Sequence, residues 1–171
     1  MEKIEYAIKR ATASDAGEML KYLKTIGGES DFLSFGAEGV GLSEAEEANW
    51  LARQENSTDF VQLVAKIGDK VIGAASLMRR PRKMRHRGEF GISVLKEFWH
   101  KGVATALTEE ILRLAKEYGF EQVFLEVRSD NERAKKLYEK FGFKKICVYP
   151  DFMRVNGVFY SCDMMILQLS E

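Results

Sequence analysis

Ile92-Ser93-Val94-Leu95-Lys96-Glu97-Phe98-Trp99-His100-Lys101-Gly102-Val103-Ala104-Thr105-Ala106-Leu107 is the stretch on which the reading of this chain turns. It passes from a β-branched run through a short loop into a segment opening on Gly, Val, Ala and Thr. Leu107, Ile111, Leu114 and Tyr118 then recur at the spacing of a helical stripe, and Gly119 supplies the residue that ends it. Small residues at a helix start leave its first amides open to a ligand. Those amides, the positive end of the helix dipole and the Thr105 hydroxyl form a candidate pyrophosphate site, to which Lys101 adds charge. No Gly-Lys-Ser/Thr triplet and no GxGxxG pattern is present, which argues against ATP, GTP and NAD.

Working outward, Gln122 to Val127 reads as a short strand. Asn131 to Phe141 is helical by Ala134, Leu137, Tyr138 and Phe141 and closes at Gly142. Lys145 to Tyr149 and Val158 to Leu169 read as strands on either side of Asn156-Gly157, a strong short hairpin signal. Toward the N-terminus, Glu89 to Leu95 is a strand. Phe60 to Ile67 and Val71 to Met78 form a hairpin around Gly68-Asp69-Lys70. Ser43-Glu44-Ala45-Glu46 is a capping box opening a helix to about Gln54. A strand at Tyr6 to Arg10 precedes a helix through Met19, Leu20, Leu23 and Ile26, capped by the hydroxyls of Thr12 to Ser14 and ended by Gly27-Gly28. The element order is β-α-α-β-β-β-α-β-α-β-β, an α/β (α+β) mixed sheet with helices on its faces, and residues 1–171 are expected to form a single domain.

Composition narrows the function classes. The 171 residues carry 26 Lys and Arg against 26 Asp and Glu, so no global field recruits nucleic acid or an anionic membrane. Hydrophobic residues make up 46% and charged residues 30%, the balance of a globular core. The start of the chain lacks an apolar leader and no apolar run reaches the ~18 residues of a span, so a cytoplasmic protein is expected. Cys147 and Cys162 are too far apart for a metal knuckle and read as buried free thiols. His86 and His100 have no neighbouring ligands, so no metal is expected. The run Arg79 to Arg87 holds six basic side chains but no Phe, Tyr or Trp to stack bases, and reads as a solvated loop without nucleic-acid partners.

A second stretch, Leu125-Glu126-Val127-Arg128-Ser129-Asp130-Asn131-Glu132-Arg133-Ala134-Lys135-Lys136-Leu137-Tyr138-Glu139-Lys140-Phe141-Gly142-Phe143, carries a resemblance when set beside the first. Together they resemble the GNAT superfamily of acetyl-CoA-dependent N-acetyltransferases. Gly102-x-Ala104 fits the second half of its Q/R-x-x-G-x-G/A loop. Asn131, Ala134, Leu137-Tyr138 and Gly142-Phe143 fit its N-x-x-A-x-x-L-Y-x-x-x-G-F helix. The loop's Gln/Arg position is Trp99 and a common proline position is Lys96, departures that bear on side-chain contacts rather than on amide binding.

The resemblance implies the GNAT fold with a sheet splayed between the strands of Ile92 and Leu125. It implies acetyl-CoA as co-substrate, with Ile92 and Val94 offering main-chain groups to pantetheine. His100, Lys101, Gly102, Val103, Ala104 and Thr105 would hold pyrophosphate, and Asn131 and Ala134 would meet the pantetheine arm. Tyr138, otherwise a core tyrosine by its spacing, is implied as the general acid at the thiolate. A bound acceptor ammonium has a pKa of ~10, so attack on the thioester needs a base. Glu126 is the first candidate, since some family members that acetylate protein N-termini carry a glutamate in this Leu-Glu-Val-Arg context. Glu89 is the second, and strand parity does not choose between them. The acceptor, a small amine or polyamine, an amino-acid-like compound or a protein N-terminus, is expected between the first two helices and at the last hairpin. There Glu29 and Asp31 can attract a cation and Phe32 can line a slot. A homodimer is implied by family analogy. The rivals are a catalytically silent acyl-CoA-binding module and an RNA-associated adaptor acting through the basic loop.

Overall fold

Turn chemistry and edge placement decide the architecture of this chain, which a computed structural model describes over residues 4–169. Residues 1–3, part of the stretch read above for an apolar leader, and 170–171 lie outside the described residues. The elements are β1 (Ala7–Arg10), α1 (Ala16–Glu29), α2 (Glu44–Gln54), β2 (Phe60–Ile67), β3 (Lys70–Arg79), β4 (Arg87–Val94), α3 (Val103–Glu117), β5 (Gln122–Arg128), α4 (Glu132–Lys140), β6 (Lys144–Val155) and β7 (Val158–Gln168). They form one seven-stranded sheet in the order β1-β2-β3-β4-β5-β7-β6. Every pair is antiparallel except β4 with β5. The order of elements along the chain is the one the hydrophobic periodicities predict.

Alternation along the strands sorts the helices onto two faces. Leu63, Leu77 and Phe90 point to the face covered by α3 and α4, where they pack with Leu107, Ile111 and Tyr138. Val64 and Ala74 point to the opposite face and pack with Met19, Tyr22 and Ile26 of α1 and Leu51 of α2. Burying one such side chain contributes about 1.5–3 kcal/mol, so the two clusters together fix which face each helix covers. Ser43 caps α2 by accepting from the Glu46 amide at 3.3 Å, while Glu46 Oε2 accepts from the Ser43 amide at 2.8 Å.

Four expectations need correction. α1 does not stop at Gly27-Gly28 but runs through both to Glu29. Gly27 is buried, and a Cβ there would lie 2.0 Å from the Gly36 carbonyl oxygen, so this glycine serves close chain approach rather than termination. Ahead of α1 the capping group is a carboxylate rather than a hydroxyl, since Asp15 Oδ2 accepts from the Thr12 amide at 3.0 Å. The strand begun at Lys145 does not end at Tyr149 but continues to Val155 across an irregularity between Tyr149 and Met153. Pro150 is tolerated there because β6 is an edge strand, and Asp151 turns at a φ of 50°. Finally, Cys162 is a buried free thiol but Cys147, on that edge, is exposed.

Candidate active site

The ladder between β4 and β5 runs only from Arg87–Gln122 to Glu89–Phe124 and then stops, so the two parallel strands part beyond Glu89. Leu95 donates its amide to Ile72 of β3 at 3.0 Å, which by alternation turns the main-chain groups of Ile92 and Val94 the other way, into the gap. A cleft of about 390 Å³ fills that gap. Ile92, Val94, His100, Gly102, Val103, Ala104, Thr105, Asn131, Ala134 and Tyr138 all line it.

At one end of the cleft α3 begins without any side-chain cap. Its first intrahelical bond is from the Ala106 amide to the Gly102 carbonyl at 3.0 Å, so the amides of Val103, Ala104 and Thr105 have no helical partner. Gly102 takes a φ of 83°, a conformation that L side chains resist, and nothing stands within 4 Å of where its Cβ would be. The orphan amides therefore face open space at the positive end of a 15-residue helix, the geometry that binds phosphate. Lys101 is not in this lining; its ammonium lies 5.6 Å over the Phe98 ring.

Trp99 explains the departure at its position. Its indole nitrogen donates to the Val94 carbonyl at 2.7 Å, bracing the loop and occupying one of the two carbonyls that face the gap. The Arg133 guanidinium stacks on the Trp99 ring at 3.1 Å. Burial presses downward on the pKa of Arg133 and the nearby Tyr138 opposes that shift. The motif helix thus places a cation in the cleft, where the loop has an aromatic. Sequence reasoning missed Arg133, although a signal existed: a positive side chain in the first turn of a helix opposes the dipole and makes sense beside an anion.

In the middle of the cleft Tyr138 is 7% exposed, edge-on to Phe90 at 6.1 Å and to Phe143 at 5.9 Å. Burial pushes its phenol up to about 12, against the pull of Arg133, so it holds its proton at neutral pH. Asn131 caps α4 through its side-chain oxygen, which accepts from the Ala134 amide at 3.2 Å. That leaves its amide nitrogen as a donor for the cleft.

The two glutamates share a sheet face, since Glu89 is level with Phe124 and Glu126 follows two residues on. Only Glu126 lines the cleft, because the strands have parted by the time the chain reaches it. Desolvation raises its pKa first, the like charge of Glu89 raises it further, and Arg80 opposes both. Glu89 sits 3.3 Å from the Arg80 guanidinium on the paired side of the fork. It acts on Glu126 through charge rather than by facing the cleft.

Phe32, Arg128 and Tyr160 form a stacked wall beside the cleft. The Arg128 guanidinium is sandwiched 4.3 Å from the Phe32 ring and 3.9 Å from the Tyr160 ring, and it bonds both oxygens of Asp130 at 2.7 and 2.9 Å. It also donates to the Asp31 carbonyl at 3.2 Å, so Asp31 contributes its backbone. Glu29 is likewise committed elsewhere, accepting from the Lys96 amide at 2.8 Å and tying the end of α1 to the cofactor loop. Of the three residues expected to receive the acceptor, Phe32 alone lines the cleft.

The basic loop is solvated as expected, with residues 81–86 all exposed, though several of its side chains find partners in the protein. Arg79 donates to the carbonyls of Arg85 and Tyr118 and stacks on Phe120 at 3.7 Å. Arg85 pairs with Asp59, Arg80 with Glu89, and Arg87 donates to Gln122. Four of the six cations therefore have partners within the chain, two of them at the exposed surface. Among the described residues no group of three or more potential ligands is placed to hold a metal, and no helix is long and apolar enough to cross a membrane.

A sheet forked between parallel strands, with free helix amides at one end and a buried phenol midway, defines a protein that takes a phosphate-bearing, extended cofactor into its core. The acetyltransferase (GNAT) family model matches residues 30–143. An N-alpha-acetyltransferase of Sulfurisphaera tokodaii is 30% identical over 146 residues, covering 84% of this chain and 83% of its own length. An L-amino acid N-acetyltransferase of Escherichia coli is 34% identical over 98 residues, 56% of this chain and 60% of that one. A GNAT acetyltransferase structure from Streptococcus pneumoniae superposes with a TM-score of 0.92 at 28% identity, covering 96% of this chain and 100% of that chain. The chain belongs to the GNAT acetyltransferase family, and is thereby an acyltransferase whose acyl donor is acetyl-CoA.

Proposed function

We propose that this chain transfers acetyl from acetyl-CoA to a primary amine by direct attack in a ternary complex. The observation that carries the reading is that Glu126 and Tyr138 stand in one cleft, which runs on to the open amides of α3. The thioester supplies an activated acyl group. The amides of Val103, Ala104 and Thr105, with Arg133, hold the pyrophosphate, and the main chain of Ile92 with the Asn131 amide orients the arm.

Glu126, directly or through a water, removes the proton from the acceptor ammonium, and its raised pKa suits that task near neutral pH. The amine nitrogen then bonds the acyl carbon as the carbon–sulfur bond breaks. Tyr138 gives its proton to the departing sulfur, and the second proton that the nitrogen sheds on becoming the amide returns, directly or through a water, to the phenolate. The acceptor, a small amine, an amino-acid-like compound or a protein N-terminus, enters along the Phe32, Arg128 and Tyr160 wall. The exposed apolar strip of β6 and β7, with Ile146, Val148, Tyr149, Val158 and Phe159, supports a homodimer through this edge.

The test is thiol release from acetyl-CoA with a panel of amines, wild type against Glu126→Gln. Wild type should turn over, and its kcat/KM should rise with pH through an acidic limb above the ordinary carboxylate range, because the base works deprotonated. Glu126→Gln should lose that limb and about 100-fold in rate, the lower range for general base catalysis. No amine-dependent thiol release from wild type would refute the reading.

A further inference from the structure

A second lobe of about 490 Å³ opens on the same sheet face, beneath α2, and meets the cleft at Leu33, Gly91, Ile92 and Ser93. Glu47 is the one ionisable residue in its lining among the described residues. Glu47 is 5% exposed as a residue and forms no ion pair with any described residue, and burial is the only influence on its pKa, which it raises. A carboxyl with no counter-charge, facing a cavity rather than packed in the core, needs another explanation than stability. Its place in the first turn of α2 eases the ionised form without supplying a partner.

The surroundings specify what the carboxyl would meet. Trp50, one turn along α2, lines the same lobe, and Val40, Leu42 and Trp50 are exposed at more than a third of their surface. Gln62 on the floor spends its amide nitrogen on the Ala75 carbonyl at 3.1 Å, which leaves its oxygen, an acceptor, for the lobe. Two acceptors, an indole face and an apolar rim suit an alkylammonium with a hydrocarbon stem. They offer little to a carboxylate or phosphate.

The sheet registers connect this lobe to the reacting end. Gln62 is opposite Ser76 and Ser76 is opposite Gly91, and Glu126 stands across the fork from Gly91 in the lining of the cleft. Two strand spacings of about 4.8 Å, roughly 10 Å, take the row from Gln62 to Gly91, and the parted β4 and β5 add a wider step to Glu126 before the two carboxylates lean inward. An extended spermidine, with on the order of 11 Å between its terminal nitrogens and a hydrogen bond of about 3 Å at each end, has that reach.

We propose that the lobe under α2 is the distal half of the acceptor site and that the acceptor is a diamine, acetylated at one nitrogen beside Glu126 while the other, as an ammonium, is held by Glu47 against Trp50. The assignment rests on the acetyl-transfer reading above. Glu126 stays the base; Glu47 touches only the distal nitrogen and decides which amines bind.

The experiment compares cadaverine with pentylamine, and spermidine with butylamine, by thiol release at saturating acetyl-CoA in wild type and Glu47→Gln. In wild type the diamines should show KM values at least about tenfold below their monoamine partners. Glu47→Gln should raise the diamine KM by about tenfold or more while leaving the monoamine KM, kcat and the acetyl-CoA KM unchanged. Equal effects on both amine types, or no diamine preference in wild type, would overturn the proposal. If no amine releases thiol, the transfer reading fails, and thermal unfolding with spermidine tests the lobe by itself. A stabilisation present in wild type and lost in Glu47→Gln supports the site, and its absence in wild type overturns it. The variant should fold, since it keeps the shape of Glu47 and removes no partner.

Discussion

Replacing Tyr138 by Phe separates the acid role of this residue from its place in the packing. The ring would keep its edge-on contacts with Phe90 and Phe143, and only the hydroxyl would be lost. If the phenol protonates the departing sulfur, its loss should cost the 100- to 10,000-fold typical of general acid catalysis, about 3 to 5.5 kcal/mol of barrier. If the cofactor arm is held mainly by amides and Asn131, as proposed, the acetyl-CoA KM should change by less than about threefold. The pH dependence gives an independent check. With its phenol pushed up to about 12, Tyr138 stays protonated through any practical assay, so it should impose no alkaline limb below about pH 10. The assay is initial-rate thiol release across pH at saturating amine and acetyl-CoA, with melting temperature as the fold control. A kcat within twofold of wild type, or a limb near neutrality that vanishes in Tyr138→Phe, would refute the reasoning.

Arg133→Ala should raise the acetyl-CoA KM about tenfold or more and flatten its salt dependence, with kcat at saturation little changed, since a charge-assisted contact contributes about 1.5–3 kcal/mol. An unchanged KM across a salt series would remove Arg133 from the phosphate site. Asp15 is 1% exposed; burial alone would raise its pKa, but bonds from Lys66 at 2.7 Å, Lys9 at 2.8 Å and the Thr12 amide hold it well below the usual carboxylate range. A depressed folded-state pKa adds stability that is present above the unfolded value of ~4 and lost as pH falls through the folded one. Asp15→Asn should therefore lose about 2–3 kcal/mol at neutral pH and progressively less below about pH 4, read from urea unfolding at both pH values. A deficit independent of pH would show that packing, not charge, is what the substitution disturbs.

What the sequence made legible was local. The stripe Leu107, Ile111, Leu114 and the Gly119 stop define α3 without reference to the rest of the chain. Asn156-Gly157 specifies its turn because both residues accept positive φ, 48° and 82° here. The Gly102 start could be placed for the same reason, with a φ of 83°. What stayed hidden depends on contacts distant in sequence. Gly27 looks like a helix stop until Gly36 is seen pressing on it. Glu29 looks like a free acid until the Lys96 amide is found beside it. The choice between Glu89 and Glu126 turns on where β4 and β5 separate, which no periodicity reports. Arg133 over Trp99 and Glu47 under α2 are juxtapositions made by the sheet, each from a residue whose neighbours along the chain give it an ordinary surface character.

The central claim is that the fork between β4 and β5, with the open amides of α3, is a site for acetyl-CoA. Thermal unfolding with acetyl-CoA, CoA, ATP and NADH tests it most directly. At 100 times Kd a ligand adds about 2.7 kcal/mol, which for a domain of this size raises Tm by roughly 5 to 10 °C. The account predicts that shift with acetyl-CoA and CoA and none of comparable size with ATP or NADH. Equal shifts with all four would reduce the site to a general anion trap. No shift with either CoA ligand would contradict the account.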